Sequence, residues 1–260
     1  MNSVLHRKNL FYLRDLLQEL IVRDMKLRYR RSVLGLAWSL LNPLAELLVL
    51  TFVFTYVLPL NIPKFPVFLY TGLLAWNWFR ASLNSGANAI VTNRSLIRLP
   101  GFPIPILPVV TTTSYFVHFV LSLPILVLFL ILYKVPLSAA VIALPFVMAV
   151  QFLFIISLVY FLAAIQVTFR DTQYLLNIVL MLGFYLSPVF YDVNRIPAEL
   201  LPIYNLNPMV HIIGAYRAIF LDGTFPVIGP LLIISGISAI LLWLGYTFFM
   251  RASFQFAQEL

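Results

Sequence analysis

The sequence predicts an all-α polytopic membrane protein with six transmembrane helices, an N-terminal amphipathic interfacial helix, and re-entrant outer helices between helices 5 and 6. Of its 260 residues, 62% are hydrophobic and only 10% are charged. A soluble domain is usually near a quarter charged, so there is too little polar surface here to cover a water-soluble particle. Apolar runs approaching the roughly 20 residues a helix needs to cross hydrocarbon recur along the chain. Placing the basic residues on alternating sides of those runs puts most of them on one face of the membrane.

The first span is predicted at 38–58, with Pro59 and Pro63 after it. The second runs over 67–91. The third, 107–133, carries Pro108 and Pro124, and the fourth, 139–169, has Pro145 near its start. The fifth covers 174–188 and the sixth 226–250. Proline is tolerable inside these runs because neighbouring helices can satisfy the freed carbonyls. Residues 1–37 form a cytoplasmic N-terminal segment, 38–250 the transmembrane domain, and 251–260 a cytoplasmic tail. The first 37 residues are basic and hold no apolar run of spanning length, so no cleavable signal peptide is expected.

Between the fifth and sixth spans, Asn207-Pro208 reads as a helix start, with Asn as N-cap and Pro at the first helical position. Asp222-Gly223 reads as its end. About 14 residues of helix span roughly 21 Å, too short to cross. The segment is also too apolar for water, so residues 196–222 are expected to form a re-entrant hairpin. A seventh, tilted span is the alternative, and it would disturb the charge bias.

With the N-terminus inside, cytoplasmic segments hold Arg7, Lys8, Arg14, Arg23, Lys26, Arg28, Arg30, Arg31, Arg94, Arg98, Arg170 and Arg251, which is twelve of the 17 basic residues. Outer segments hold Lys64, Lys134, Arg195 and Arg217, and Arg80 falls inside a span. The bias places both termini in the cytoplasm. The basic charge then reflects topology and anionic lipid, and no nucleic-acid module is visible.

Several function classes fall away. Cysteine is absent, which excludes thiolate metal sites. His6, His118 and His211 lie far apart, without metal-ligand spacing. Lys8, Lys26, Lys64 and Lys134 are the only lysines, and none follows a glycine, so there is no phosphate-binding P-loop. Any ATP-driven work needs a partner chain. An ion-coupled carrier would want buried acids along the spans, where only Glu46 qualifies clearly.

Over 9–31, Leu10, Leu13, Leu17, Leu20, Ile21 and Met25 share one helical face, opposite Asp15, Glu19, Arg23, Lys26 and Arg30. Such a helix lies among lipid headgroups. It serves as a topology anchor or, working harder, lines a cytoplasmic entrance where Arg28, Arg30 and Arg31 meet a substrate phosphate.

In the first span Asn42, Glu46, Val49, Val53 and Tyr56 share a face, and in the second Asn77, Arg80, Asn84 and Asn88 form a polar stripe. Such groups should face protein or a water-filled path. Arg80 either pairs with Glu46 or contacts substrate phosphate. Trp38, Trp76, Trp78 and Tyr133 read as interfacial anchors. Phe184, Tyr185, Phe190 and Tyr191 cluster where the fifth span meets the re-entrant segment, and polar-tipped rings suit sugar faces. Ser235, Gly236 and Ala239 would allow close helix approach in the sixth span.

The cytoplasmic loop 92–106 offers a short helical piece, 94–99, ended by Pro100-Gly101. Its Leu96, Ile97 and Leu99 suit docking into a partner's groove. A second, very short loop lies at Phe169-Arg170-Asp171-Thr172.

These motifs, in this order, resemble ABC-2-type permeases of polysaccharide exporters. "RDMKLRYRRSVLGLAWSLLNPL" at 23–44 is similar to the approach to their first span, and "FLYTGLLAWNWF" at 68–79 to the start of their second. "NRSLIRLPGFPIPILP" at 93–108 resembles their first coupling loop. "FRDTQYLLNIVLMLGFYLSPVFY" at 169–191 and "LNPMVHIIGAYRAIFLDG" at 206–223 resemble their fifth span and outer helices. The resemblance covers nearly the whole chain and says little about which glycan is carried.

It implies a homodimer bound to two copies of a cytoplasmic ATPase, which would hold the ATP and Mg; no cofactor is expected in this chain. Arg94, Ser95, Leu96, Ile97, Arg98, Phe102 and Pro103, with Arg170 and Asp171, would couple to that ATPase. Asn42, Glu46, Val53, Tyr56, Phe184, Tyr185 and Tyr191 would line the channel, and the re-entrant helices would close its outer mouth. The substrate would be a lipid-linked polysaccharide, O-antigen or teichoic acid, crossing the bacterial inner membrane. Two alternatives stay open on the residues. One is an ABC-2 permease for a small lipid or drug. The other is a membrane enzyme acting on polyprenyl-phosphate sugars, although none of the nine acids is paired in a D-x-D or D-D motif.

Overall fold

Helix is the only regular element among the residues described by the structure, a computed structural model covering 2–29 and 37–259, with side chains for 12–27 and 41–256. In chain order the helices are α1 (Asn2–Tyr29), α2 (Ala37–Phe52), α3 (Phe65–Ala87), α4 (Ala89–Thr92), α5 (Arg94–Ile97), α6 (Ile106–Leu132), α7 (Leu144–Thr168), α8 (Thr172–Tyr185), α9 (Leu201–Tyr204), α10 (Pro208–Arg217) and α11 (Ile228–Glu259). Ile106–Leu132, Ala139–Thr168 and Ile228–Phe256 are each long and apolar enough to cross a membrane.

α3 explains how the rest are arranged. Its 23 residues make roughly 35 Å of helix, enough to cross. Seventeen of them are buried, because α2, α6, α7, α8 and α10 pack around it. A helix surrounded by protein need not be apolar all round, and α3 accordingly carries the chain's main polar stripe. Trp76 and Trp78, expected as interfacial anchors, are only 2% and 3% exposed and belong to the core. Their apolar rings fill the space between α3 and its neighbours: Trp78 meets Phe116, Phe119 and Phe152, and Trp76 meets Phe79 and Phe184.

Local signals set the element ends as the sequence predicts. Asn207 accepts a hydrogen bond from the Met209 amide at 3.0 Å, and Pro208 opens α10. Gly223 follows the last π-helical turn, 218–222, with φ of 65°, the left-handed geometry a helix stop requires. Gly101, with φ of 79°, turns the chain after α5. α2 ends in an unforeseen π-helical turn, Val53–Val57, where the Leu58 amide donates to the Val53 carbonyl at 2.8 Å.

Three details differ from expectation. α8 stops at Tyr185, so its 14 residues reach roughly 21 Å, less than the ~30 Å hydrocarbon core. α11 runs without a break through Glu259, because no Gly or Pro interrupts 251–259. Gly236 faces open space, and the close approach along α11 comes at Gly245 instead. A Cβ there would lie 2.9 Å from the Phe161 ring and 3.1 Å from the Ser157 carbonyl oxygen on α7.

The core divides in two. One cluster joins α3, α6, α7, α8, α10 and α11 through Leu69, Leu126, Ile155, Leu180, Ile212 and Leu231. The other lies at the end of the bundle where α3 leads into α4, and gathers Ile90, Ile97, Leu107, Ala163, Phe249 and Phe256. The first end, with α9 and α10, is called the outer end below, and the second the inner end.

Candidate functional site

The polar stripe of α3 recurs at intervals of three and four residues, Asn77, Arg80, Asn84 and Asn88, so one helical face carries all four. Each meets a group from another helix or from the stripe itself. Asn77 donates to a Glu46 carboxylate oxygen of α2 at 3.3 Å. Arg80 donates to Asn77 Oδ1 at 3.0 Å, and its guanidinium lies 4.0 Å from Glu46. The pairing of Glu46 with Arg80 suggested by their sequence positions is therefore present. Beside it opens a pocket of about 400 Å³, lined by Glu46, Arg80, Asn84, Asn177, Phe184 and Tyr185.

Below that pocket, toward the inner end, the stripe becomes a ladder of side-chain amides from three helices. Gln173 of α8 donates to Asn84 Oδ1 at 3.0 Å, and Asn88 donates to Gln173 Oε1 at 2.6 Å. Gln166 of α7 donates to Asn88 Oδ1 and to the Arg170 carbonyl, both at 3.4 Å. The ladder thus joins the short loop at Arg170 to the pocket. Sequence reading singled out Asn84 and Asn88 and missed Gln166, Gln173 and Asn177. A signal existed for two of them: Gln173 and Asn177 are four apart, on one face of an otherwise apolar helix.

Among the other predicted wall residues, Asn42 is exposed one turn before Glu46. Val53 is half-buried in the π-helical turn, and Tyr56 is 76% exposed. The aromatic cluster forms as expected, around Phe190 as its hub. Its ring lies 5.6 Å from Phe184, 6.1 Å from Tyr185 and 5.0 Å from Tyr191, and it stacks on Phe54 at 5.1 Å. The Tyr191 hydroxyl donates to the Tyr185 carbonyl at 2.9 Å, which fixes the turn after α8.

At the inner end Arg23 of α1 donates to Asn93 Oδ1 at 2.6 Å, tying α1 to the start of the loop that carries α5. Leu20, on the apolar face of α1, is buried. Within the loop, Ile97 is 7% exposed and packs inward with Ile90 and Leu107, so it anchors the loop and is not available for docking. One helical turn cannot point Leu96, Ile97 and Leu99 the same way. Ser95, Arg98 and Leu99 face outward, while Arg94, Leu96, Phe102 and Pro103 are half-buried. The Tyr160 hydroxyl of α7 donates to the Pro105 carbonyl at 2.9 Å and pins the loop's far end. Arg170 and Asp171 are exposed beside it. Arg30 and Arg31 lie outside the described residues, and Arg28 outside the described side chains.

The outer end holds a residue that sequence reading treated only as a topological charge. Arg217 is 8% exposed. Its guanidinium donates to the Val189 carbonyl at 2.8 Å and to the Phe68 carbonyl at 3.5 Å, and lies 3.4 Å from the centre of the Phe68 ring. Nearby, Asn207 donates to the Leu186 carbonyl at 3.1 Å and to Ser187 Oγ at 2.9 Å.

The profile of the ABC-2 type transporter family matches residues 15–221, which includes the stripe, the α5 loop, the ladder and α10. The O-antigen export system permease protein RfbA of Myxococcus xanthus is 38% identical over 255 residues, 97% of this chain and 98% of the relative. The protein of that name from Klebsiella pneumoniae is 31% identical over 261 residues, 99% of this chain and all of the relative. The polysialic acid transport protein KpsM of Escherichia coli is 26% identical over 211 residues, 79% of this chain and 81% of the relative. With a family profile across most of its length, relatives matched end to end and several long apolar helices, the chain belongs to the ABC-2 type transporter family and is a multi-pass membrane subunit of a transporter, one that works with an ATPase partner, and not itself an enzyme.

Proposed function

We propose that this chain is the permease subunit of an ABC exporter that moves a lipid-linked polysaccharide, O-antigen or teichoic acid, across the bacterial inner membrane. The observation that carries the reading is the end-to-end match to O-antigen export permeases, 38% identical over 97% of the chain in the first case. In this reading six spans cross the bilayer, α8 being completed by the turn that follows it, and residues 196–222 form the outer re-entrant hairpin. Both termini are cytoplasmic. Arg23, Lys26, Arg94, Arg98, Arg170 and Arg251 then sit at the inner side, in keeping with the preference of basic residues for the cytoplasm.

The permease works as a homodimer with two ATPase copies, which bind the ATP and Mg; this chain holds no cofactor. Ser95, Arg98 and Leu99 make the outward contact with the ATPase, on a loop held by Ile97 and Pro105, with Arg170 and Asp171 beside it. Arg28, Arg30 and Arg31 receive the substrate's phosphate at the cytoplasmic surface of anionic lipid. The pocket between α2, α3 and α8 forms part of the path wall, with Asn42, Val53, Tyr56 and Tyr191 extending it. Glu46 beside Arg80 leaves the pocket formally neutral. That favours sugar hydroxyls over the phosphate that an unpaired Arg80 would take. Carboxamides donate and accept, and a Tyr ring adds a flat apolar face, which is the chemistry a pyranose presents.

The test is deletion of the gene, followed by extraction of lipid-linked glycan from the cytoplasmic side of the membrane. Accumulation of undecaprenyl-linked polymer, relieved by the wild-type gene, is the expected result. Normal surface glycan with no accumulation overturns the reading and leaves export of a small lipid or drug.

A further inference from the structure

Among the described residues Arg217, 8% exposed, is the only buried Arg, Lys, Asp or Glu. A guanidinium removed from water normally finds a carboxylate. Here Asp192 and Asp222 act on it only through space, and its direct contacts are two backbone carbonyls and a ring, from two separate places in the chain. Val189 lies in the turn that leaves α8, and Phe68 in the first turns of α3. Arg217 itself ends α10. One side chain therefore closes three elements on each other. The backbone at Val189 belongs to no helix, so its carbonyl has no repeating partner, and Arg217 supplies one.

The neighbouring sequence makes room for this contact. Gly72 sits one turn after Phe68, and a Cβ there would lie 2.6 Å from the Val189 carbonyl oxygen and 3.0 Å from an Arg217 nitrogen. Those distances admit no side chain without displacing the carbonyl or the guanidinium. Gly72, Val189 and Arg217 thus form one fitted joint. One guanidinium nitrogen donates to both carbonyls while the guanidinium carbon lies over the Phe68 ring, and the compact ammonium of lysine does not reproduce that combination.

We propose that Arg217 is a positioning residue that latches the outer hairpin onto α3 and onto the turn after α8, so that release of this one side chain frees α10 while the rest of the bundle stays packed. The inference deepens the proposed outer closure, and rests on it only for the consequence in transport. The joint itself is a statement about packing.

The natural absence of cysteine provides the test. Ala215→Cys in α10, 5% exposed, and Ala163→Cys in α7, fully buried, are introduced singly. The purified full chain is placed in lipid nanodiscs, where a maleimide reaches both faces and orientation is not assumed. The expected result is that Arg217→Lys speeds labelling of Ala215→Cys by about tenfold, the effect of losing one charge-assisted hydrogen bond. Labelling at Ala163→Cys stays unchanged. Gly72→Ala, which keeps the arginine, produces the same selective rise. Equal acceleration at both cysteines means general loosening and overturns the latch. Unchanged labelling in both variants overturns it as well. Should Arg217→Lys fail to fold, Gly72→Ala decides alone. Export by the complete transporter is scored separately. Selective labelling without an export defect sinks the gating consequence and leaves the joint standing.

Discussion

The two ends of the bundle hold themselves together by different bonds. At the inner end the connections between helices run mainly from side chain to side chain, Arg23 to Asn93, Asn88 to Gln173 and Gln173 to Asn84, with Tyr160 to the Pro105 carbonyl and Gln166 to the Arg170 carbonyl as the exceptions at loops. At the outer end they run mostly from side chain to backbone: Arg217 to Val189, Asn207 to Leu186, Tyr191 to Tyr185, Ser138 to Gly223, Arg195 to Leu60. The difference follows from the backbone at each end. The ladder joins mostly regular helices whose own carbonyls are already paired, so side chains meet chiefly one another, and the one carbonyl it reaches, that of Arg170, lies in the loop between α7 and α8. The outer end is built from turns and short helices whose carbonyls lack helical partners, and side chains must satisfy them in a low-dielectric setting. Amide–amide bonds can be exchanged for other polar partners, whereas a side chain that completes irregular backbone defines where that backbone goes. The inner half is thus suited to rearrangement and the outer half to being held or released as a piece.

Mutations at each end test that contrast, and the largest effect is expected where the inner loop enters the core. Ile97→Asp buries a carboxylate with no partner, at a cost on the order of 3 kcal/mol or more. Fluorescence-detected size exclusion should show loss of the folded peak; a normal profile would mean the loop is not anchored there. Gln173→Leu removes a partner from both Asn84 and Asn88 and costs about 1–3 kcal/mol. A thermal melt should register it, together with weaker export, and an unchanged melt would mean the ladder carries no stability. Asn207→Ala loses the cap of α10 and two further donated bonds, about 1–2 kcal/mol. Faster amide exchange confined to 201–222 is the signature, and uniform protection would refute a local role. Leu99→Asp lies on the surface and should shift stability by less than about 0.5 kcal/mol. Under the proposed docking it should nonetheless abolish co-purification with the ATPase partner, since an exposed apolar side chain is replaced by a charge. Retained binding would move the docking surface elsewhere.

The site is partly legible in the sequence. The stripe on α3 could be read because its members repeat every three or four residues along one helix. Glu46 could be matched to Arg80 because each is the sole charged group of its span. Gln166 could not be placed, since a single glutamine in an apolar helix has no periodicity to betray its face. Ile97 and Leu99 look alike in sequence, and only the burial of Ile97 in the inner core cluster separates the anchor from the exposed Leu99. Trp76 and Trp78 read as interfacial by residue type, a rule that holds for helices facing lipid and fails for one surrounded by protein.

By itself the sequence determined the membrane setting, the helical class, the start and stop of α10 and the polar face of α3. All of these depend on composition or on neighbours within a turn or two. Only the tertiary structure decided what each polar group meets. Asn88 finds Gln173 85 residues away, and Arg217 finds Phe68 149 residues away. A charged or amide side chain in an apolar bundle must have a partner, but the need for one does not say which helix provides it. That choice is made by the joint packing of all the helices around α3, where burying one face fixes what every other face can reach.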